Sequence, residues 1–132
     1  MATIITTYKG DMAFETKLGN HTITIDVPES MGGKDRGPTP PEYFVAALSS
    51  CVAAFAASYC CKAGVDCSDL SVEASFEKVS KPTRLTDFKL KLNLPHDCCE
   101  GREKAILRAA SHCPVHHSIE DFEGLEIELT HA

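Results

Sequence analysis

The sequence lacks any cluster of positive charge. Its 13 lysines and arginines are dispersed among 19 acidic residues, which gives a formal net charge of -6. Proteins that bind the phosphate backbone of nucleic acids present basic patches or stripes. We therefore expect no nucleic-acid partner, and we attribute the acidity to solubility.

A secretory signal and a regular cysteine framework are also missing. The N-terminal stretch MATIITTYKGD has no basic segment, no apolar segment and no small-residue cleavage site. The seven cysteines are an odd number at irregular spacing, which is typical of reduced thiols rather than of a secreted disulfide scaffold. We expect a cytoplasmic protein.

One uncharged segment, Tyr43 to Cys61, tests this interpretation because it has about the length that spans a bilayer. The segment is rich in Ala and Ser and poor in Leu and Ile, and the rest of the chain alternates as strands do. A helix that is apolar on all sides is also typical of the core of a globular protein. We interpret the segment as a central core helix and expect no membrane association.

The chain before this segment alternates polar and apolar residues. The runs TIITTY, MAFETKL and HTITIDV predict strands, with Gly19-Asn20 as a tight turn between the second and the third. A Gly- and Pro-rich loop follows over residues 28–41. Thr39 and Glu42 have the spacing of a capping box, and Gly64 is a typical stop, so a helix is predicted over residues 41–63.

The chain after this helix combines strands with a second helix. LSVEASFEKV and LTDFKLKLNL predict a hairpin across SKPTR, and LEIELT predicts a last strand. Asp97 and Glu100 predict the cap of a helix that ends near Pro114. One face of that helix would carry Ile106, Ala109, Ala110 and Cys113. This order predicts one α+β domain over residues 1–132, without repeats or linkers.

Cys51 lies in the middle of the central helix, among small and apolar neighbours. Such a setting raises a thiol pKa and makes the thiol inert, so Cys51 alone is typical of packing. A reactive Cys51 needs a cation from elsewhere. The loop before the helix carries Lys34 and Arg36, which are candidates.

The other cysteines have weaker signals. Cys113 is predicted on a buried helix face, where it could meet a second buried thiol and form a disulfide if the α-carbons come within about 7 Å. Cys98 and Cys99 follow a helix cap, where main-chain N–H groups favour thiolate, but the neighbouring carboxylates oppose it. We interpret the remaining three, Cys60, Cys61 and Cys67, as packing or incidental residues near the end of the central helix.

A metal site is a further possibility, because His112, Cys113, His116 and His117 are concentrated in HCPVHH. Structural zinc normally needs two ligand pairs at regular spacing. Only one such pair, Cys113 with His117, is present here. We therefore expect no bound metal and interpret these histidines as surface residues or as capping groups after the helix.

Two segments, GGKDRGPTPPEYFVAALSSC and RAASHCPVHHSI, resemble the OsmC/Ohr family of osmotically inducible and organic-hydroperoxide-resistance proteins. They contain the family's Gly-rich loop, a P-T-P-x-E helix start, a small-residue helix with a key Cys, and a second Cys about sixty residues later. The order of elements also agrees over roughly residues 10–130. The sequence is most similar to the less characterised OsmC-like branch.

The resemblance implies an OsmC-like fold, an intertwined homodimer in which each subunit has curved, mainly antiparallel sheets, a long buried central helix and a second helix. In characterised members the Cys that matches Cys51 attacks a hydroperoxide and becomes a sulfenic acid. The Cys that matches Cys113 resolves it as a disulfide, and a dithiol reductant restores both thiols. This chemistry needs no cofactor.

Two positions depart from the family's organic peroxidases. Those enzymes pair the thiolate with an Arg from the N-terminal strands, whereas residues 1–35 here contain only lysines and Arg36 is the sole arginine before the helix. Lys cannot reproduce the planar guanidinium fork. Glu42 stands nine residues before Cys51, where those enzymes have a glutamate ten residues before.

These observations predict a thiol-dependent peroxidase that reduces organic hydroperoxides. Cys51 would be the nucleophile, Cys113 the resolving thiol, and Arg36 with Glu42 the activating pair. The alternative is a non-catalytic small-molecule binding or redox-sensing protein that has kept the fold and the pocket.

Overall fold

The computed structural model describes residues 3–95 and 99–131. Its strands are β1 (Ile5–Gly10), β2 (Ala13–Leu18), β3 (His21–Ile25), β4 (Ser71–Val79) and β5 (Arg84–Asn93), and its α-helices are α1 (Pro40–Ala63), α2 (Glu103–Ala110) and α3 (Pro114–Glu120). The chain divides into two compact units, Met1–Ala46 and Ala47–Ala132. The mixed content of antiparallel sheets and a long helix confirms the predicted α+β class, and a single domain over 1–132 stays a prediction.

The first unit is built on a three-stranded antiparallel sheet in the order β1-β2-β3. A bulge between Tyr8 and Gly10 shifts the register of β1 on β2. Gly19 has a φ of 62°, a conformation that favours glycine, and it closes the predicted tight turn between β2 and β3. Ala13, Thr16 and Ile25 are buried in this unit.

The loop between β3 and α1 is ordered around Asp26, which is fully buried. It contains a short 3-10 helix, Glu29–Met31. A Cβ atom at Gly33 would press against the carbonyl of Val27 and the carboxylate of Asp26, so the main chain approaches here as only glycine allows. This close approach explains the glycine at position 33 of the Gly-rich loop.

Helix α1 has the ends that its sequence predicts. At its start the N–H and the hydroxyl of Thr39 both donate to Glu42 Oε1 at 2.9 Å, while the Glu42 N–H donates to Thr39 Oγ1 at 3.4 Å. At its end Gly64 has a φ of 73°, and the Val65 N–H donates to the Cys60 carbonyl at 2.8 Å. These are a capping box and a Schellman-type stop. By length and composition alone α1 could cross a membrane, a test that core helices of soluble proteins also pass.

The second unit contains the greater part of α1, the β4–β5 hairpin and the two short helices. The hairpin is antiparallel, as the alternating runs predict. Its register shifts between Ser75 and Glu77. A buried cluster of Ala56 and Cys60 from α1 with Ile106 and Ala110 from α2 forms the core of this unit. Burial of such apolar side chains stabilises a fold by about 25 cal/mol per Å².

The predicted second helix is wrong in its bounds. Its cap, Asp97, lies outside the described residues, and α2 ends at Ala110. Pro114 does not only stop a helix, because it occupies the first position of α3, where its missing N–H costs nothing. The residue before it, Cys113, is extended (φ -61°, ψ 119°) and caps α3 instead of continuing a helix face.

The predicted last strand, LEIELT, is not formed by the described residues, which have no helix or strand from position 122 to position 131. Leu125, Ile127 and Leu129 are 78%, 87% and 86% exposed. Alternation predicts a residue's face in a sheet, but a strand also needs an edge to pair with. Within the described part of this chain the segment pairs with none.

Candidate functional site

The side chains of Cys51 and Cys113 meet within the second unit, where the two thiols are hydrogen-bonded to each other. Cys51 is half-buried on α1, and Cys113 is fully buried between α2 and α3. Both are free thiols. Two sulfurs in contact, one of them reachable from solvent, are the arrangement from which a reversible disulfide can form.

The local sequence explains how Cys113 comes to this position. Pro114 begins α3 and forces its predecessor out of helical geometry, so Cys113 becomes the N-cap. The His116 N–H donates to Cys113 Sγ at 3.4 Å. The sulfur therefore takes the place that a Ser or Asp oxygen has at most helix starts.

Burial raises the pKa of the Cys113 thiol, and the hydrogen bond with Cys51 raises it further. The main-chain N–H groups of His116 and Val115 oppose this shift because they stabilise a thiolate. The net direction is upward. Cys113 is therefore a protonated thiol at neutral pH.

An apolar cavity of about 380 Å³ lies in the same unit. Leu48 and Val52, which flank Cys51 in the sequence, line one side of it. The other lining residues come from β5, α2 and α3: Phe88, Leu90, Leu107, Ala110, Ser111, His116, Ile119 and Glu120. The cavity has the size of a small-molecule site and a mostly apolar surface.

Two polar side chains of α3 that line this cavity, His116 and Glu120, are in contact with each other. His116 Nε2 and Glu120 Oε1 are 2.7 Å apart, one helical turn from each other. This pair was not predicted, because the histidines were interpreted as surface residues or as capping groups after the helix. The two residues are four positions apart, a spacing that brings side chains together only on a helix. The pair could therefore be predicted only if a helix was predicted over these residues.

Arg36, the predicted activating arginine, belongs to the first unit and is held by Asp26. Its Nε and main-chain N–H donate to Asp26 Oδ2 at 2.6 and 3.1 Å, and its Nη2 donates to the Asp11 carbonyl at 2.9 Å. The Arg36 guanidinium holds the pKa of the Asp26 carboxyl well below its usual range. Asp26 was not among the predicted site residues, because nothing in the local sequence marks a carboxylate that follows a strand as buried.

Glu42, the second predicted activator, also lies in the first unit and completes the capping box of α1. The Thr39 N–H and then the Thr39 hydroxyl lower the pKa of Glu42 by donating to its carboxylate. In this structure the carboxylate partner of Arg36 is thus Asp26, while Glu42 serves the helix start.

The remaining described cysteines are separate from this thiol pair. Cys60 is buried in the core cluster, with Cys67 and Cys99 packed against it. Burial raises the pKa of the Cys60 thiol, and the nearby Cys67 and Cys99 add to the shift. Cys61 is exposed, and Cys98 lies outside the described residues.

The histidine-rich segment does not form a metal centre in the described part of the chain. Over residues 3–95 and 99–131 no group of three or more His, Cys, Asp or Glu side chains is placed to hold a metal ion. His116 is engaged with Glu120, and its ring stacks on that of His117 with centroids 5.9 Å apart. The metal-binding alternative therefore has no support in these residues.

Comparison with known proteins gives the family. A family model described as OsmC-like protein matches residues 32–129. The chain belongs to the OsmC-like family. Curated proteins provide no match. The family match agrees with the motifs from the Gly-rich loop to the end of α3, and it supports our interpretation of α1 as a core helix.

Solved structures share the OsmC-like fold. A Psychrobacter arcticus protein named for osmotic stress and detoxification responses is 22% identical with a TM-score of 0.75, over 89% of this chain and 88% of its own. An OsmC-like protein from Mycoplasma pneumoniae is 17% identical with a TM-score of 0.72, over 90% and 86%. An organic hydroperoxide resistance protein from Legionella pneumophila is 19% identical with a TM-score of 0.57, over 92% and 91%.

Proposed function

We propose that this protein is a thiol-dependent peroxidase that reduces organic hydroperoxides. Membership of the OsmC-like family, with an organic hydroperoxide resistance protein among the similar structures, supports a redox role. The observation that carries the finer proposal is the contact between the Cys51 and Cys113 thiols beside an apolar cavity.

The proposed reaction uses both sulfurs. The Cys51 thiolate attacks the distal oxygen of the hydroperoxide, the O–O bond breaks, and the alcohol leaves after taking a proton. Cys51 is then a sulfenic acid. Cys113 Sγ attacks Cys51 Sγ, water leaves, and a disulfide remains. A dithiol reductant returns both cysteines to thiols by exchange.

The apolar cavity favours substrates with a hydrocarbon body over hydrogen peroxide. Its lining from α1, β5 and α2 can bury alkyl or aromatic groups, at about 0.8 kcal/mol per CH₂. Binding of the hydrocarbon part in the cavity would position the peroxide group near Cys51.

Activation of Cys51 is assigned to Arg36, with Glu42 as its predicted companion. The guanidinium of Arg36 is held by the carboxylate of Asp26. The sequence predicted that Glu42 would be this carboxylate. We expect Arg36→Lys to slow Cys51 oxidation, because Lys lacks the planar fork. Glu42→Gln then tests whether Glu42 contributes beyond its helix cap.

We further propose that the chain is a cytoplasmic homodimer acting as one domain. Helix α1 is apolar through most of its length, yet two of its aromatic side chains, Phe44 and Phe55, are 42% and 36% exposed. Ile4, Ile5 and Tyr8 at the N-terminal strand are 58–63% exposed. Exposed apolar side chains in this number are typical of surfaces that a second chain covers.

The first experiment is a titration with one equivalent of cumene hydroperoxide, followed by peptide mass spectrometry. We expect rapid formation of the Cys51–Cys113 disulfide in the wild type. Cys51→Ser should lose at least 99% of dithiol-dependent peroxide consumption, because the attacking sulfur is gone. Cys61→Ser, which removes an exposed thiol, should retain it. Equal rates for wild type and Cys51→Ser would contradict the proposal.

A binding or redox-sensing protein is the second candidate function, and the contacts of Arg36 favour it. In this candidate Arg36 serves the loop before α1, since its guanidinium donates to Asp26 and to the Asp11 carbonyl. A measured thiol pKa at Cys51 near or above the free value of about 8.5 would support this candidate, whereas a value well below it would support the enzyme.

A further inference from the structure

A second group of thiols lies at the C-terminal end of α1. Cys60 is fully buried in the core cluster that α1 forms with α2. Cys67, in the turn after α1, and Cys99, shortly before α2, are half-buried and pack against the same cluster. All three are free thiols, and Cys67 and Cys99 are near enough to Cys60 to raise the pKa of its thiol. The proposed peroxidase reaction uses none of them.

Cys60 cannot replace Cys113 as the partner of Cys51. Both Cys51 and Cys60 lie on α1, nine residues apart, which is about 13.5 Å along the axis of an α-helix. A disulfide needs α-carbons within about 7 Å of each other. The chemistry of Cys60 is therefore separate from that of Cys51 and depends on the thiols that pack around the end of the helix.

The stop of α1 turns the chain back towards Cys60. Gly64 has a φ of 73°, and the Val65 N–H donates to the Cys60 carbonyl at 2.8 Å, so the chain reverses within a few residues. The Leu70 N–H donates to the Cys67 carbonyl at 3.0 Å, which holds Cys67 in the next turn. Six residues separate the two cysteines, and a short loop costs less entropy to close than a long one.

Cys99 has a different setting from Cys67. Its thiol donates to the Pro95 carbonyl at 3.5 Å, and its side chain lines a smaller cavity of about 150 Å³. The chain between Cys60 and Cys99 includes the whole β4–β5 hairpin, so a bond between them would close a much longer loop. Cys67 is therefore the better partner for Cys60.

We propose that Cys60 and Cys67 form a second, reversible disulfide, with a small organic disulfide of the glutathione type as the oxidant. This inference does not rest on the proposed function. The more accessible Cys67 loses its proton and attacks one sulfur of the oxidant, whose S–S bond breaks, and the first small thiolate leaves and takes a proton. Cys60 then loses its proton and attacks Cys67 Sγ, and the second small thiolate leaves in the same way. The two cysteines lose two electrons, which the oxidant gains as two thiols.

The test maps the bond after treatment of the reduced protein with glutathione disulfide. Remaining thiols are alkylated, and the unreduced protein is digested with trypsin and examined by mass spectrometry. Trypsin cleaves after Lys62, so Cys60 and Cys67 fall in different peptides, 37–62 and 63–78. We expect these two peptides to be joined in the wild type and to separate on reduction.

Matched variants assign the bond to single sulfurs, because peptide 37–62 contains two further cysteines. Cys67→Ser, at a half-buried position, and Cys60→Ala, in the core, should each abolish the joined peptides. Cys61→Ser removes the neighbouring exposed thiol and should keep the wild-type yield, and so should Cys99→Ser. Cys67→Ser keeps the test valid if Cys60→Ala does not fold.

Three results would overturn the inference. The first is that Cys67 stays reduced, or keeps one glutathione, and no joined peptides form. The second is that peptide 37–62 is joined instead to peptide 92–102, which contains Cys99. The third is that the joined peptides persist in Cys67→Ser. None of these results bears on the peroxidase proposal, which is tested with a hydroperoxide at Cys51.

Discussion

At the scale of single residues, Asp26 is the best-connected charge that the structure describes. Its carboxylate is fully buried and accepts hydrogen bonds from the main chain of Val27, Lys34 and Arg36 and from the Arg36 guanidinium. A buried carboxylate without such donors would destabilise the fold. Asp26 therefore fixes the loop that carries the candidate activator, and a change at Asp26 should act on the conformation of Arg36.

The Asp26 carboxyl makes a prediction about pH. Its pKa is lowered in the folded protein, so below the ordinary Asp value of about 3.9 the unfolded chain binds more protons than the folded one. The stability that this group contributes is present above that value and is lost as the pH falls. We expect the Tm of the wild type to fall more steeply between pH 5 and 3 than that of Asp26→Asn, as measured by circular dichroism. Parallel curves would contradict this prediction.

At the scale of elements, α1 is stabilised at its start by a reciprocal cap. Thr39→Ala removes the side-chain oxygen that accepts the Glu42 N–H, and we expect it to lower the free energy of unfolding by about 1 kcal/mol. Thr39→Ser, which keeps the oxygen, should stay close to the wild type. Urea unfolding followed by circular dichroism measures both, and equal losses in the two variants would assign the effect to the lost methyl group.

Some elements could be predicted from the sequence and others could not. The ends of α1 could be predicted because Thr39, Glu42 and Gly64 act on neighbours within four residues. Helix α3 could not be predicted, because a proline such as Pro114 is found both after the end of one helix and at the start of the next. The His116–Glu120 pair was missed for the same reason. The last strand was predicted wrongly because alternation describes a face, while pairing depends on distant residues.

At the scale of the whole molecule, the exposed apolar side chains predict a second chain. We expect sedimentation velocity to give twice the 14.3 kDa chain mass. Phe55→Glu, which places a charge on the exposed face of α1, should shift the protein towards the monomer. Ser80→Glu adds the same charge in the exposed β4–β5 turn and should leave the dimer intact. A monomeric wild type would refute the dimer proposal.

The contact between Cys51 and Cys113 has a consequence for the lifetime of the protein. A bond between these sulfurs would close a loop of about sixty residues that includes β4, β5 and α2. Closing a loop of that size removes conformational freedom from the unfolded chain and is worth about 4 kcal/mol. The oxidised protein should then resist proteases that act on unfolded chains. Oxidation of this pair would therefore lengthen the lifetime of the folded chain.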